Sequence, residues 1–323
     1  MRLASVAFAL AVCWWQVVAL AQADRPPGRR FALIVSGVSG GEKYAASYDR
    51  WRNEIARLLV ERYGFAPDAT RVLAETEAAG LGRATAVGVR SALAEIGKVS
   101  RRGDLVLIVL VGHGSLDGAA AKFNLVGPDL DASEWARLLD SLDAKVVLIN
   151  TASASAPFLR TLASPDRVVI TATDRPSQTF ETVFPEHFVR ALAAEATDMN
   201  RDGLTSLWEI FVATAERVRA WYEERRRMPT ERALIDDVGD GTGKEAGVPN
   251  SGGESERIYL GPLPAAAAAG QPAGVSAARR AELLAQIAEL RAHKDEMPLH
   301  VYEATLQVLL VELARVKRSE KEK

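Results

Sequence analysis

DLVLIVLVGHG, running from Asp104 to Gly114, decides the fold. Seven apolar residues, Leu105 to Val111, stand unbroken between a carboxylate and a Gly-His-Gly turn. An alternating strand leaves one face to water, whereas an unbroken run needs apolar cover on both faces, as in the middle of a parallel sheet. KVVLIN (Lys145–Asn150) and RVVIT (Arg167–Thr171) repeat the pattern downstream. RFALIVSGVSGG (Arg30–Gly41) repeats it upstream, and TRVLAE (Thr70–Glu75) is a shorter strand. Between them lie helical patterns: Ser47–Tyr63, with Trp51, Ile55, Leu58 and Leu59 on one face, Thr85–Ile96, and Ala132–Leu142 with Ser133 as its N-cap. This alternation predicts an α/β fold, a parallel sheet with helices on both faces. Ligands of such sheets sit at the carboxyl ends of the strands. The polar turns Ser36–Gly41, Gly112–Gly118 and Thr151–Ala156, and the loop Thr171–Thr179, all fall there.

Two of these strand ends carry chemistry. His113 follows a buried strand and precedes Gly114, which suits a base over the sheet edge with the Gly114 amide aimed at a developing oxyanion. The plainer reading is a histidine hydrogen-bonded in a loop. The second strand end is Ala152-Ser153-Ala154-Ser155-Ala156, whose small residues suit a tight strand-to-helix turn.

Taken together, VLIVLVGHG (Val106–Gly114) and VVLINTASASA (Val146–Ala156) resemble the caspase and legumain superfamily of cysteine peptidases. In that group the base is the histidine of a strand-end HG and the nucleophile is the cysteine of a strand-end ACxSG. The resemblance implies a base at His113, a nucleophile position at Ser153, and an oxyanion hole from the amides of Gly114 and Ser153. An alignment slipped by one puts Ala152 at the nucleophile position but loses the match at Ser155. SGVSGGEKYAASYDRWRNEI (Ser36–Ile55) is similar to the family's first strand end and the helix after it. TATDRPSQTFETVF (Thr171–Phe184) is similar to the loop that helps form the substrate pocket. The resemblance spans Arg30 to Leu192, and looks closest to secreted bacterial members with Ser- or Ala-rich turns in place of the cysteine motif.

Two departures bear on activity: Ser153 replaces the cysteine and Ala156 replaces the glycine. A thiol is partly ionised near neutral pH, with a free pKa of about 8.5. A hydroxyl is far less acidic and needs a close, oriented base. Two readings follow, with an unrelated α/β protein as a third. One is a noncatalytic, peptidase-like protein that binds a peptide or protein in the strand-end cleft. The other is a hydrolase using Ser153 and His113.

DMNRDGLTSLWE, Asp198 to Glu209, fits the spacing of an EF-hand calcium loop. Calcium takes many oxygen ligands. Asp198, Asn200, Asp202 and Ser206 supply side-chain positions, Leu204 a carbonyl, Glu209 a bidentate carboxylate, and Gly203 the sharp turn. Thr205 replaces the usual aliphatic residue, which weakens pairing with a second hand. The expected ion is a structural Ca2+; the alternative is an acidic turn that binds nothing. A second acidic turn, Asp236-Asp237-Val238-Gly239-Asp240-Gly241, reads as a solvated turn or a further cation site. Ser36–Lys43 matches a phosphate loop only loosely, and the four histidines have no zinc spacing.

The first 23 residues combine one positive charge, a long apolar run and Ala21-Gln22-Ala23, a signal-peptidase pattern. Export to the periplasm or beyond is expected, with a retained membrane anchor as the alternative; no later run is long enough to span a membrane. The chain's single cysteine, Cys13, lies in this segment, so the expected mature chain has no thiol and no disulfide. The net charge of -2 is mixed along the chain, and no basic stripe points to nucleic acid. Residues 264–275 read as a linker. Ala277–His293 and Leu299–Arg318 carry apolar stripes (Leu283, Ile287, Leu290; Leu306, Leu309, Leu310, Leu313) and read as an antiparallel hairpin that contacts a protein partner. The expected architecture is thus a signal segment (1–23), a caspase-like α-β-α sandwich (30–192), an EF-hand-like helical region (193–263), the linker, and a helical hairpin (276–318).

Overall fold

The computed structural model describes residues 28–118, 120–200, 203–248, 253–261 and 299–321, together with Leu283, Gln286, Ile287 and Leu290. The expected signal segment, the expected linker and most of the expected first hairpin arm lie outside the described residues. The chain divides into two compact units, one of them Gly28–Pro262.

In chain order this unit contains β1 (Arg30–Ser36), α1 (Glu42–Glu61), β2 (Thr70–Ala74), β3 (Gly82–Arg83), α2 (Ala86–Val99) and β4 (Leu105–Val111). Next come β5 (Gly114–Asp117), β6 (Ala120–Phe123), β7 (Leu130–Asp131), α3 (Ala132–Leu139), β8 (Lys145–Asn150), α4 (Pro157–Thr161) and β9 (Arg167–Thr171). The unit closes with α5 (Phe184–Ala193), α6 (Leu207–Glu224) and β10 (Leu234–Asp236).

The main sheet has the order β10-β9-β8-β4-β1-β2-β3. All its pairings are parallel except that of β10 with β9. Alternate residues of β1 feed two separate cores. Ala32 and Ile34 join side chains of α1, α5 and α6, including Ile55, Phe188 and Phe211. Phe31, Leu33 and Val35 join α2, α3 and α4 through Leu93, Trp135 and Phe158. The result is an α/β sandwich, with β4 buried on both faces as its unbroken apolar run requires.

Several boundaries differ from the sequence expectation. The third helix is capped by Asp131, not Ser133. The Asp131 carboxylate accepts from the Glu134 amide at 2.8 Å while Glu134 accepts from the Asp131 amide at 3.1 Å. Asp131 stands three residues before a glutamate, the spacing of a reciprocal capping box, and Ser133 does not. The turn expected at Gly112–Gly118 is mostly strand. β5 pairs with β6 and β6 with β7 in a small antiparallel sheet. This sheet is pinned by Phe123, fully buried beneath Gly37 and Gly112.

In the other unit, α7 (Leu299–Lys321) is described. Tyr302, Leu306, Leu309 and Leu313 form its half-buried stripe. Leu310, expected in that stripe, is 46% exposed because it sits one residue around the helix from Leu309. Leu283 and Ile287, one turn apart, are buried. Among the described residues, no helix is long and apolar enough to cross a membrane.

Candidate functional site

The ends of β4 and β8 are neighbours, since the two strands pair from Leu105↔Lys145 to Leu110↔Asn150. His113 and Ser153 are therefore each three residues beyond the last paired residue of adjacent strands. The chain leaves β8 through a turn held by its own polar atoms. The Thr151 hydroxyl donates to the Leu110 carbonyl at 2.7 Å, and the Ala152 amide donates to the Asn150 side chain at 3.1 Å. Ala154 adopts φ 51°, the left-handed region that costs a residue with a Cβ. Its amide donates to the Gln178 carbonyl at 2.8 Å, which ties the loop after β9 over the turn.

Ser153 is 3% exposed. Its Oγ donates to the Gly114 carbonyl at 3.0 Å and accepts from the Gly114 amide at 3.2 Å. Gly114 is closely fitted here, because a Cβ on it would lie 2.1 Å from the Ser153 carbonyl oxygen. The Gly114 amide expected to serve an oxyanion is thus already occupied by the serine hydroxyl.

The His113 Nε2 lies 3.1 Å from the Ser39 carbonyl oxygen. A carbonyl only accepts, so Nε2 carries the hydrogen and Nδ1 is left as an acceptor when the ring is neutral. The ring packs edge-on against Tyr44 and Tyr48, with centroids 5.0 and 5.5 Å away. Among the described residues, no hydrogen bond joins His113 to Ser153. Asp117, near in sequence, pairs instead with Lys122 at 2.7 Å.

Some parts of the site were not foreseen. Tyr44 and Tyr48 occupy one face of α1 at i, i+4, a spacing visible in EKYAASY. Glu181 on the loop after β9 shares this neighbourhood. Partial loss of solvent raises its carboxyl, opposed by Lys43 and His113. Burial first, then Glu181 and Tyr44, holds the Tyr48 phenol well above its usual range. Phe180 beside it is 70% exposed. Ser155 has a structural task. Its Oγ lies 3.1 Å from the Thr173 hydroxyl and accepts from the Thr173 amide at 3.2 Å, stapling the ends of β8 and β9. Ala156, at the position where the caspase and legumain motif carries glycine, has φ -47° and needs no glycine.

In the Asp198–Glu209 loop, Asp198 accepts from the Gly203 amide at 2.9 Å. Glu209 is buried and turns inward: Oε1 accepts from the Met199 and Asn200 amides, and Oε2 from the amide and hydroxyl of Ser206. Ser206 caps α6 in return. Asn200 is exposed and Leu204 half-buried, while Asp202 lies outside the described residues. Among the described residues, no group of three or more His, Cys, Asp or Glu is placed to hold a metal.

The second acidic turn is solvated only in part, with Val238 and Asp240 exposed. Asp236 and Asp237 are fully buried. Asp236 accepts from the amides of Val238, Gly239 and Gly241, and Asp237 pairs with Lys244 at 3.1 Å. A Cβ on Gly239 would lie 2.2 Å from the Ser164 carbonyl oxygen, so the turn is docked against the sandwich.

No family model matches the chain, and no curated protein matches it. Among solved structures it is similar to a crystal structure of a Geobacter sulfurreducens protein solved as a structural-genomics target. The identity is 15% and the TM-score 0.45, over 73% of this chain and 100% of that one. Likeness at that level assigns no role to any residue.

Proposed function

We propose that this chain is an exported, caspase/legumain-like protein that binds a peptide or protein segment at the strand-end cleft and does not cleave it. One observation carries the reading: the Ser153 hydroxyl is buried and both donates to and accepts from Gly114, with no bond to His113 among the described residues. A serine nucleophile needs a base within about 3 Å to remove its proton. Here the hydroxyl proton goes to a carbonyl, and the expected oxyanion donor is spent on the hydroxyl itself. The strand ends keep what binding needs: the half-buried rings of Tyr44 and His113, and exposed Phe180 beside Glu181. The second reading, a Ser153/His113 hydrolase, draws support from the Ser39 contact, which holds His113 with Nδ1 free to accept.

A random peptide library passed over the immobilised protein tests the proposal, with retained and cut peptides identified by mass spectrometry. The expected result is a retained, intact set that Tyr44→Ala depletes and Ser153→Ala leaves unchanged. Cut peptides that disappear with Ser153→Ala or His113→Ala would establish the hydrolase instead. The Asp198–Glu209 loop is proposed as a structural calcium site on its spacing and on the inward turn of its first and last carboxylates. An ion there would compete with the donors that now hold Glu209.

A further inference from the structure

His187, on α5, is 5% exposed, and among the described residues neither ring nitrogen has a hydrogen-bond partner. Buried polar nitrogens are nearly always bonded, so two orphans on one ring need a physical account. The surroundings are cationic. On its own helix, Glu186 is consumed by Arg190 at 2.6 Å. From α6 comes Arg217 and from its C-cap Arg225, both within electrostatic reach of the ring. The Arg217 Nε is itself buried without a partner. Arg225 pairs with Glu224 at 3.6 Å and stacks on Trp221. From the C-cap of α1, Arg62 donates to the carbonyls of Ala193 and Ala194 at the far end of α5. At the near end, Glu231 accepts from the amides of Val183 and Phe184.

We propose that His187 is a proton-sensitive pin: neutral, it seats α5 on α6; charged, it loosens α5 and the 172–183 loop that α5 anchors. Its nitrogens are sealed from solvent, so the site has room for a proton and not for a ligand. A charged imidazole would be buried unpaired beside three guanidinium groups and one glutamate already paired, a costly arrangement. Burial first, and the three arginines against Glu186, holds the imidazole below its ordinary 6.5. A depressed histidine contributes stability above its unfolded value, and loses it as pH falls through the folded one. The proposal does not depend on whether the cleft binds or cleaves.

The test is proton NMR titration of the four histidines in the full chain, assigned with His187→Phe. Amide exchange over 184–193, corrected for intrinsic rates, is measured alongside, with 86–99 as internal reference. We expect His187 to titrate below 6.5. Exchange over 184–193 should rise at least tenfold relative to 86–99 between pH 7.5 and 5, and His187→Phe should abolish that rise. A His187 titration at or above 6.5, or exchange that rises equally in both segments, overturns the proposal. Should His187→Phe fail to fold, His187→Gln supplies the assignment and the wild-type measurements still decide.

Discussion

The Ser153 hydroxyl has two bonding partners, and both belong to Gly114. Ser153→Ala removes both bonds and is expected to cost about 1 kcal/mol, read as a lowered unfolding midpoint in urea. Gly114→Ala should cost more, about 1–3 kcal/mol, because its Cβ must displace the Ser153 carbonyl. If Gly114→Ala melts like wild type, the close approach of the two strand ends is not as described. The positions of His113 and Ser153 were legible in the sequence, because each follows an apolar run whose length fixes where the strand ends. What the serine bonds to was not legible. That depends on the curl of Ala154 into the left-handed region and on β5 starting at Gly114, both set by contacts remote in sequence. Ser155 shows the same limit: its match to a motif says nothing of its bonds to Thr173.

Among the elements, α5 carries the most consequential polar contacts. Glu231 is 3% exposed and lies at the N-terminus of α5, where it also accepts from the Tyr222 hydroxyl at 3.0 Å. Burial raises its carboxyl from 4.5 to about 7, against the Val183 amide, Tyr222 and the Phe184 amide, which favour the charge. Below 4.5 the group is protonated in both folded and unfolded chains. As pH rises toward 7 the unfolded chain ionises first, so the contribution of Glu231 to stability falls by about 3 kcal/mol and then levels off. Subtracting the stability profile of Glu231→Gln from that of wild type should expose this fall. Parallel profiles would mean the carboxyl is not raised. The slope is opposite to that expected of His187, which is why each is read as a difference from its own variant. The strands and most helices were legible from apolar period alone. Sequence placed the third helix well but chose Ser133 over Asp131 as its cap, since a serine two residues late still looks like a cap until the reciprocal bond to Glu134 is seen.

At the scale of the whole molecule, two cores share one sheet, and β4 serves both. Ile108→Ala should therefore destabilise the sandwich by about 2–5 kcal/mol in denaturant titration. Calcium is likewise a whole-molecule question, because α6 after the loop is part of the main core through Leu207, Ile210 and Phe211. Millimolar calcium should raise the melting temperature, and a chelator or Asp198→Ala should remove the rise; identical melts in all three would leave the loop as a capped turn. The layering was legible because unbroken apolar strands admit only a covered sheet. The buried docking of Asp236 and Asp237 was not, because an acidic run signals solvent until its amide and lysine partners are found. The claim that the strand-end cleft does no covalent chemistry is tested most directly by titrating the protein with a fluorophosphonate and counting adducts by intact mass. The expected result is no stoichiometric adduct at Ser153 and the same trace labelling in wild type, Ser153→Ala and His113→Ala. One adduct per chain in wild type, lost in both variants, would contradict it.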